Sequence, residues 1–441
     1  MHLVIIGNGI TGVTAAITAR RLSPEARITL LGAESAHHYS RPALMYLYLG
    51  HLRYPDVKPY EDWFWPENRL ELVHAEATSV DTAARSVQLA TGQLLAYDCL
   101  LLATGSVVRT AGWPGQQLHG VQGFYGLPDL ESMSRATHGI RHAVVVGGGL
   151  IGVELAEMLH SRGIRVTWLV REQRYWQSVL PPEESALLAA HILRNGIDFR
   201  LATELSEVLG DAQGRVRAVV TSTGQELPAE WVGLAIGVQP NLALARAAGL
   251  ETDRGILVNE VLATSAPGVY AAGDCAQHRQ PAPGEAAVEQ LWYTGRMQGE
   301  TVAHTLCGQP TPYRRGHWFN SAKFFQLEYQ TYGRVPAQPE ADIASFCWQH
   351  PSGKLLRINF RQSDNVVTGM NVLGLRQRQD TWERWLREKA PVGTVLAQLA
   401  AANFDAEFSR QHEPAIRREF SRQFPAIILA SPRRKGLFGA Q

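Results

Sequence analysis

Cysteine is scarce. The 441 residues hold four, Cys99, Cys275, Cys307 and Cys347, with no Cys-x-x-Cys or zinc-ligand spacing among them. That pattern argues against a disulfide-stapled secreted fold and an obvious metal site, and it suits a reducing cytoplasm. Net charge is nearly absent too, at +1, which argues against nucleic acid or a membrane surface as partner. No apolar run approaches the roughly 20 residues that span a bilayer. The apolar stretch at residues 3–6 begins at once, leaving no room for a signal peptide. No Ser/His/Asp or paired-carboxylate constellation is apparent. The pair His37-His38 reads as loop surface, not acid–base machinery.

What is present is glycine at particular spacings. An apolar run over residues 143–146 ends in Gly147-x-Gly149-x-x-Gly152, and an apolar-periodic helix carrying Leu150, Ile151 and Glu154 follows. The first glycine makes the tight turn, the second lets a pyrophosphate approach the backbone, and the third lets helix and strand pack closely. The phosphates then meet the free N–H groups of a helix N-terminus. The chain begins with a second copy, Gly7-x-Gly9-x-x-Gly12, in which Ile10 and Thr11 open the helix. Each unit places a carboxylate just past its second strand, Glu34 in one and Glu172 in the other. An adenosine ribose is hydrogen-bonded at that position. Two such units imply two dinucleotides.

Further along, residues 35–75 cluster aromatics and prolines and read as an irregular insertion. A buried strand ends in Ala103-Thr104-Gly105, and a similar one closes the second unit at Gly237. Another short strand ends in Gly273-Asp274, and ligands of open parallel sheets gather at such C-terminal strand ends. A helical stretch over 288–306 follows. From Thr311 aromatic strand-like segments (318–332, 344–348, 355–360, 366–372) and a charged helix over 380–389 suggest a separate α+β domain. The basic tail Arg433-Arg434-Lys435 reads as a frayed terminus, with partner docking as its alternative.

With both glycine turns, the Thr104-Gly105 turn and Gly273-Asp274 in this order, residues 1–310 resemble the FAD-dependent pyridine nucleotide oxidoreductases. The resemblance implies an α/β fold with two Rossmann-like dinucleotide-binding domains of the three-layer ββα type, plus a C-terminal α+β domain. The FAD domain would be discontinuous, residues 1–114 and 241–310. The NAD(P)H domain would be 115–240, and 311–441 a C-terminal interface domain. Asp274 would bond the FAD ribityl chain and Glu34 the FAD adenosine ribose.

The segment Tyr39-x-Arg41-Pro42-x-Leu44 resembles the ferredoxin and rubredoxin reductases and the flavin portion of assimilatory nitrite reductase. Thr104 to Arg109, and Trp292 with Gln298-Gly299, match the same branch, and Gln290 and Leu291 fall beside that tryptophan. There is no cysteine pair for disulfide reduction. The resemblance therefore implies FAD as the redox centre, NADH or NADPH as hydride donor, and a small iron–sulfur protein as acceptor. Glu172 favours NADH, whereas Arg171 and Arg174 could clamp a 2′-phosphate.

Two departures stand out. The branch places a lysine five residues after the arginine, paired with a glutamate on the second glycine-turn helix. Here the glutamate is Glu154 but the lysine position holds Tyr46. Lys58 or Lys323 is the expected replacement cation, against Glu154 meeting only water or Tyr46. The C-terminal domain is also longer than the branch's usual one, with Lys323 and its aromatic neighbours facing the flavin, a homodimer interface, or simply the core. Two rival functions are a quinone reductase, with Tyr46, Trp63, Phe64 and Trp65 lining a channel, and a flavin-based redox-sensing interaction module.

Overall fold

The computed structural model describes residues 1–405, 407–408 and 410–429; the basic tail lies outside the described residues. The chain divides into two compact units, Met1–Val166 with Leu205–Arg315, and Thr167–Glu204 with the residues from Gly316 onward. No helix among the described residues is long and apolar enough to cross a membrane.

The first unit is built on a five-stranded parallel sheet. Its strands lie in the order Val269–Ala271, Cys99–Leu102, His2–Ile6, Arg27–Gly32 and Leu70–His74. Leu3, Val4, Ile5, Leu100, Leu101 and Leu102 are wholly buried, as expected where both faces of a parallel sheet are covered. The carboxyl ends of the central strands deliver Gly7, Ala103, Gly273 and Glu34 to one edge. Helices Ile10–Leu22 and Trp292–Leu306 pack closely because glycines face the contact. A Cβ on Gly299 would lie 2.4 Å from the Thr11 carbonyl oxygen. A three-stranded antiparallel sheet, Ala77–Asp81, Ser86–Leu89 and Leu94–Ala96, adds a further layer element.

The same unit holds a second parallel group, His142–Val146, Trp231–Leu234 and Val121–Gly123. Helix Leu150–Ser161 follows its glycine turn. The antiparallel trio Leu205–Gly210, Val216–Thr221 and Glu226–Pro228 belongs to this unit as well.

The insertion at 35–75 is more ordered than the sequence suggests. It contains the short helices Leu44–Tyr48 and Phe64–Glu67 and then the sheet's outer strand, Leu70–His74. That strand escapes sequence reading because it lies at an edge and carries polar residues: Glu71 pairs with Arg27 at 2.9 Å. The surface reading of His38 is also overturned. It is 4% exposed, its Nδ1 lies 2.9 Å from the Asn8 carbonyl, and burial first, then the Arg41 charge, lowers its pKa to about 4. His37 is the more exposed of the pair and sits 3.4 Å from Asp62.

The second unit carries a five-stranded antiparallel sheet, ordered Phe319–Phe324, Leu327–Gly333, Val367–Leu373, Lys354–Arg361 and Ile343–His350. The single stretch expected over 318–332 is a hairpin, turned at Phe325, whose φ is 54°. Trp382, Trp385, Phe346, Phe360 and Phe420 form its core with helices Gln379–Arg387, Val392–Ala397 and Glu413–Gln423. Helix Pro182–Arg194 belongs to this unit. Its fully buried Glu184 meets Arg357 of the sheet at 2.7 Å.

Candidate active site

The first glycine turn is shaped by what it cannot accommodate. Gly7 has a φ of +116°, and a Cβ there would lie 2.0 Å from the Ala103 carbonyl oxygen; one on Gly12 would lie 1.9 Å from the Gly7 oxygen. At Gly9 a Cβ meets nothing within 4 Å. The outer two glycines therefore serve packing, and the middle one borders open space in front of a helix N-terminus. Gly9 is the extended N-cap of helix Ile10–Leu22 and has no side-chain cap, so the helix's leading N–H groups face that space. A dinucleotide pyrophosphate fits this cradle.

The second turn repeats the arrangement. A Cβ on Gly147 would lie 2.2 Å from the Ala235 oxygen, whereas Gly149, N-cap of helix Leu150–Ser161, again has nothing within 4 Å. Gly152 is buried, and Leu150 and Ile151 form the first turn. Gly237 has a φ of +102°, and its carbonyl accepts from the Arg109 backbone N–H at 3.1 Å. In the second unit, Arg171 pairs with Glu172 at 3.1 Å while remaining largely exposed. One guanidinium nitrogen of Arg174, Nη1, is buried without a hydrogen-bond partner among the described residues.

Around the first cradle the structure brings together residues distant in sequence. Ser106 Oγ donates to Asp274 Oδ2 at 2.9 Å and accepts from Gln290 Nε2 at 2.8 Å. The Tyr125 hydroxyl accepts from the Ser106 backbone N–H at 3.0 Å. Burial raises the Asp274 pKa, and the bonds and the Arg41 charge oppose that rise only in part. Behind Asp274, the Gly273 N–H donates to Gln298 Oε1 at 2.7 Å, and Gln298 donates to the buried Glu289 at 3.2 Å. Arg315 and Tyr313 also hold Glu289, at 3.0 and 2.8 Å. The strand-end turn that presents Asp274 is thus fixed from beneath. Thr104 ties its hydroxyl to the Asn241 carbonyl at 3.0 Å.

Glu34 lies at the far side of this edge, with Arg41 2.8 Å away. Tyr39 and the Leu127 N–H also donate to it. Burial would raise its pKa, but the Arg41 charge and these bonds outweigh burial and hold it below the usual carboxylate range. Arg41, with Pro42 in one turn of 3₁₀ helix, covers the Tyr125 ring at 4.3 Å. Leu291 caps the helix that Trp292 begins, and the Trp292 and Tyr293 rings meet edge-on.

Of the two cations expected beside Glu154, Lys58 is paired within its own unit. Lys58 Nζ lies 2.6 Å from Asp62. Lys323 stands opposite Glu328 in the second unit's hairpin. Glu154 keeps part of its surface open yet sits among dense protein atoms. Burial first, then the neighbouring Glu157, lifts its pKa to about 7. Tyr46 stacks on His51. Its helix is tethered to the Glu154 helix by Arg162, whose guanidinium covers the Tyr48 ring at 3.5 Å and donates to the Tyr48 carbonyl at 2.8 Å. Sequence reading missed Tyr125 and Glu289. It named Tyr39 and Ser106 only as members of the Tyr39-x-Arg41-Pro42-x-Leu44 segment and of the stretch Thr104 to Arg109, without a role for either side chain.

Cys275, next to Asp274, is no redox partner: its buried thiol donates to the Leu102 and Ala272 carbonyls, and burial raises its pKa.

Two glycine cradles at parallel strand ends, one backed by a buried Gly-Asp turn, define a scaffold for two dinucleotides. The chain belongs to the pyridine nucleotide-disulphide oxidoreductase family, whose model matches residues 1–299. It is 34% identical over 310 residues to the ferredoxin reductase component of chlorobenzene dioxygenase from Cupriavidus sp. (strain PS12). That match covers 70% of this chain and 75% of that protein. It is 30% identical over 314 residues to a rubredoxin-NAD(+) reductase of Ectopseudomonas oleovorans, covering 71% of this chain and 81% of that protein. Among solved structures, a ferredoxin reductase from Rhodopseudomonas palustris superposes with a TM-score of 0.77 at 27% identity. It covers 85% of this chain and 91% of the other.

Proposed function

We propose that this chain is an FAD-dependent reductase that takes hydride from NADH and passes electrons to a small iron–sulfur protein of the ferredoxin or rubredoxin type, in the cytoplasm. The observation that carries this is the pair of glycine cradles, each with an open middle position, together with the absence of a cysteine pair from the sequence. A family member without a redox disulfide delivers its electrons from the flavin itself. The relatives named as ferredoxin and rubredoxin reductases support that acceptor class.

The reading divides the chain into an FAD domain (1–114 and 241–310), a nicotinamide domain (115–240) and a C-terminal domain (311–441). When bound, FAD accepts a hydride and releases electrons singly, and the protein supplies geometry. Gly9 and the N-terminal N–H groups of its helix bind the FAD pyrophosphate. Asp274, held by Ser106, accepts from the ribityl hydroxyls. Glu34 faces the adenosine ribose, with Arg41 and Tyr39 fixing its carboxylate. Gly149 admits the nicotinamide dinucleotide's phosphates, and Glu172 accepts from a free 2′-hydroxyl, which favours NADH over NADPH. Glu154 presents a carboxyl poised near neutrality on the helix that the second cradle starts.

The test is anaerobic rapid mixing. NADH bleaches the flavin, and a second mix with oxidised ferredoxin or rubredoxin restores its colour within the turnover time. Reoxidation by quinones but by neither iron–sulfur protein overturns the acceptor assignment.

A further inference from the structure

The turn Tyr125-Gly126-Leu127 joins the two cradles of the first unit. It follows strand Val121–Gly123 and opens helix Leu127–Ala136. That strand pairs with Trp231–Leu234, which pairs in turn with His142–Val146, the strand that ends in Gly147. The flavin-side residues converge on the turn's backbone. Arg41 Nη1 donates to the Tyr125 carbonyl at 2.8 Å. The Leu127 N–H donates to Glu34 at 2.7 Å and lies 3.1 Å from the Tyr39 hydroxyl. A Cβ on Gly126 would lie 2.4 Å from Glu34 Oε1 and 3.0 Å from Arg41 Nη1, so a glycine lets that pair close over the turn.

The Tyr125 side chain reaches the other end of the flavin site. Its hydroxyl accepts from the Ser106 N–H at 3.0 Å and donates to Asp274 Oδ2 at 3.4 Å. Desolvation first, then the Asp274 charge, raises its pKa to about 12, so the phenol keeps the proton it donates. One turn therefore meets both carboxylates assigned to FAD, Glu34 through the Leu127 N–H and Asp274 through the Tyr125 hydroxyl. From the helix side, Asp129 Oδ2 accepts from the Tyr125 and Gly126 N–H groups at 2.8 and 2.9 Å. At the helix's far end, the Thr137 hydroxyl lies 2.6 Å from that of Tyr48.

Hydride transfer depends steeply on how the two rings meet, and a misplacement of about 1 Å costs roughly a hundredfold in rate. A group that ties the flavin-site carboxylates to the sheet carrying the second cradle acts on that meeting, not on the affinity for either dinucleotide. We propose that Tyr125 is a positioning residue for hydride transfer, its hydroxyl locking the turn to Asp274 and so setting the second cradle relative to the flavin. This rests on the FAD and NADH assignment above.

Two holoenzyme variants test this. Tyr125→Phe loses only the hydroxyl, and Asp129→Ala loosens the same turn from the helix side. In both, flavin per protein and the Kd for NAD⁺ should stay within about twofold of wild type, while the limiting rate of flavin reduction by NADH falls about tenfold or more. With the flavin photoreduced beforehand, titration with NAD⁺ should give a weaker long-wavelength charge-transfer band, which reads ring stacking without turnover. Wild-type rate and band in Tyr125→Phe would overturn the proposal. Loss of flavin from Tyr125→Phe would overturn it too, making the tyrosine part of cofactor binding instead. A wild-type flavin that NADH fails to reduce would overturn the NADH assignment itself.

Discussion

The Arg41 guanidinium, at the start of a 3₁₀ turn, holds the Glu34 carboxylate at 2.8 Å across an irregular stretch of chain. Both side chains are only about a quarter to a third exposed, at 30% and 25%, so the pair is screened less than a surface bridge. Removing Arg41 would leave Glu34 with Tyr39 and one backbone N–H. Arg41→Met is expected to cost about 2 kcal/mol of stability at pH 7, below the full penalty of a wholly buried pair. The sign in acid follows from the lowered Glu34 pKa. A carboxyl held below its unfolded value of about 4.3 contributes stability above that pH and loses it as pH falls through the folded value. Urea melts of wild type and Arg41→Met should therefore converge in strong acid and separate above pH 5. A constant separation across the range would refute the pairing.

The glycine turns allow folding and binding to be pulled apart. Gly9→Ala adds a methyl where nothing lies within 4 Å, so the apoprotein should melt within about 0.5 kcal/mol of wild type. Flavin retention, read from visible absorbance per protein, should nevertheless fall at least tenfold. Gly149→Ala should keep the flavin while raising the KM for NADH tenfold or more. Gly12→Ala, whose methyl would lie 1.9 Å from a carbonyl oxygen, should impair folding itself. Equal behaviour of Gly9→Ala and Gly12→Ala would remove the distinction between a packing glycine and a binding one.

This contrast also marks how far the sequence reaches. The cradles were legible because backbone approach to a phosphate admits little but glycine, and because strand ends fix where those glycines fall. Asp274 was legible for the same reason, as the residue after a strand-end glycine. Tyr125, which bonds the Ser106 N–H and supports Arg41, was not. It comes from a different part of the chain, and an isolated tyrosine has no spacing to betray it. His38 was misread because adjacent histidines in a proline-rich stretch look solvated, whereas the Asn8 carbonyl supplies its partner inside the fold. The expectation of a lysine partner for Glu154 came from a pattern in which this chain has Tyr46 and spends Lys58 on Asp62.

Glu154 yields a pH prediction. Burial first, then Glu157, places its pKa at about 7. A carboxyl raised in the folded state favours folding while protonated. Its contribution is complete below the unfolded value near 4.3 and is lost as pH rises through about 7. Glu154→Gln removes the charge and should raise the melting temperature at pH 8 but change it little at pH 5. The rate of flavin reduction by NADH should bend near pH 7 in wild type and show no bend in the variant. If both enzymes share the same bend, another group titrates there.

In the second unit, Arg357 lies between Glu184 at 2.7 Å and Glu183 at 2.6 Å, and it also donates to Ser345 at 2.6 Å. Glu184 is fully buried and also accepts from Asn371 at 3.3 Å. The charge pair joins helix Pro182–Arg194 to the antiparallel sheet, two elements far apart in the chain. Truncating one partner leaves an uncompensated buried charge, a loss of roughly 3–5 kcal/mol, whereas replacing both with apolar groups of similar volume approaches neutrality. Arg357→Met alone should lower the urea midpoint markedly, and Glu184→Leu alone should lower it less, because Glu183 still pairs with Arg357 at 2.6 Å. The double variant should recover most of the loss, leaving a coupling energy of at least 2 kcal/mol in the cycle. Additive losses, with no recovery in the double variant, would show that the two charges do not depend on each other. The helix would then be held by its apolar face alone, through Leu188 and Ile192, both fully buried.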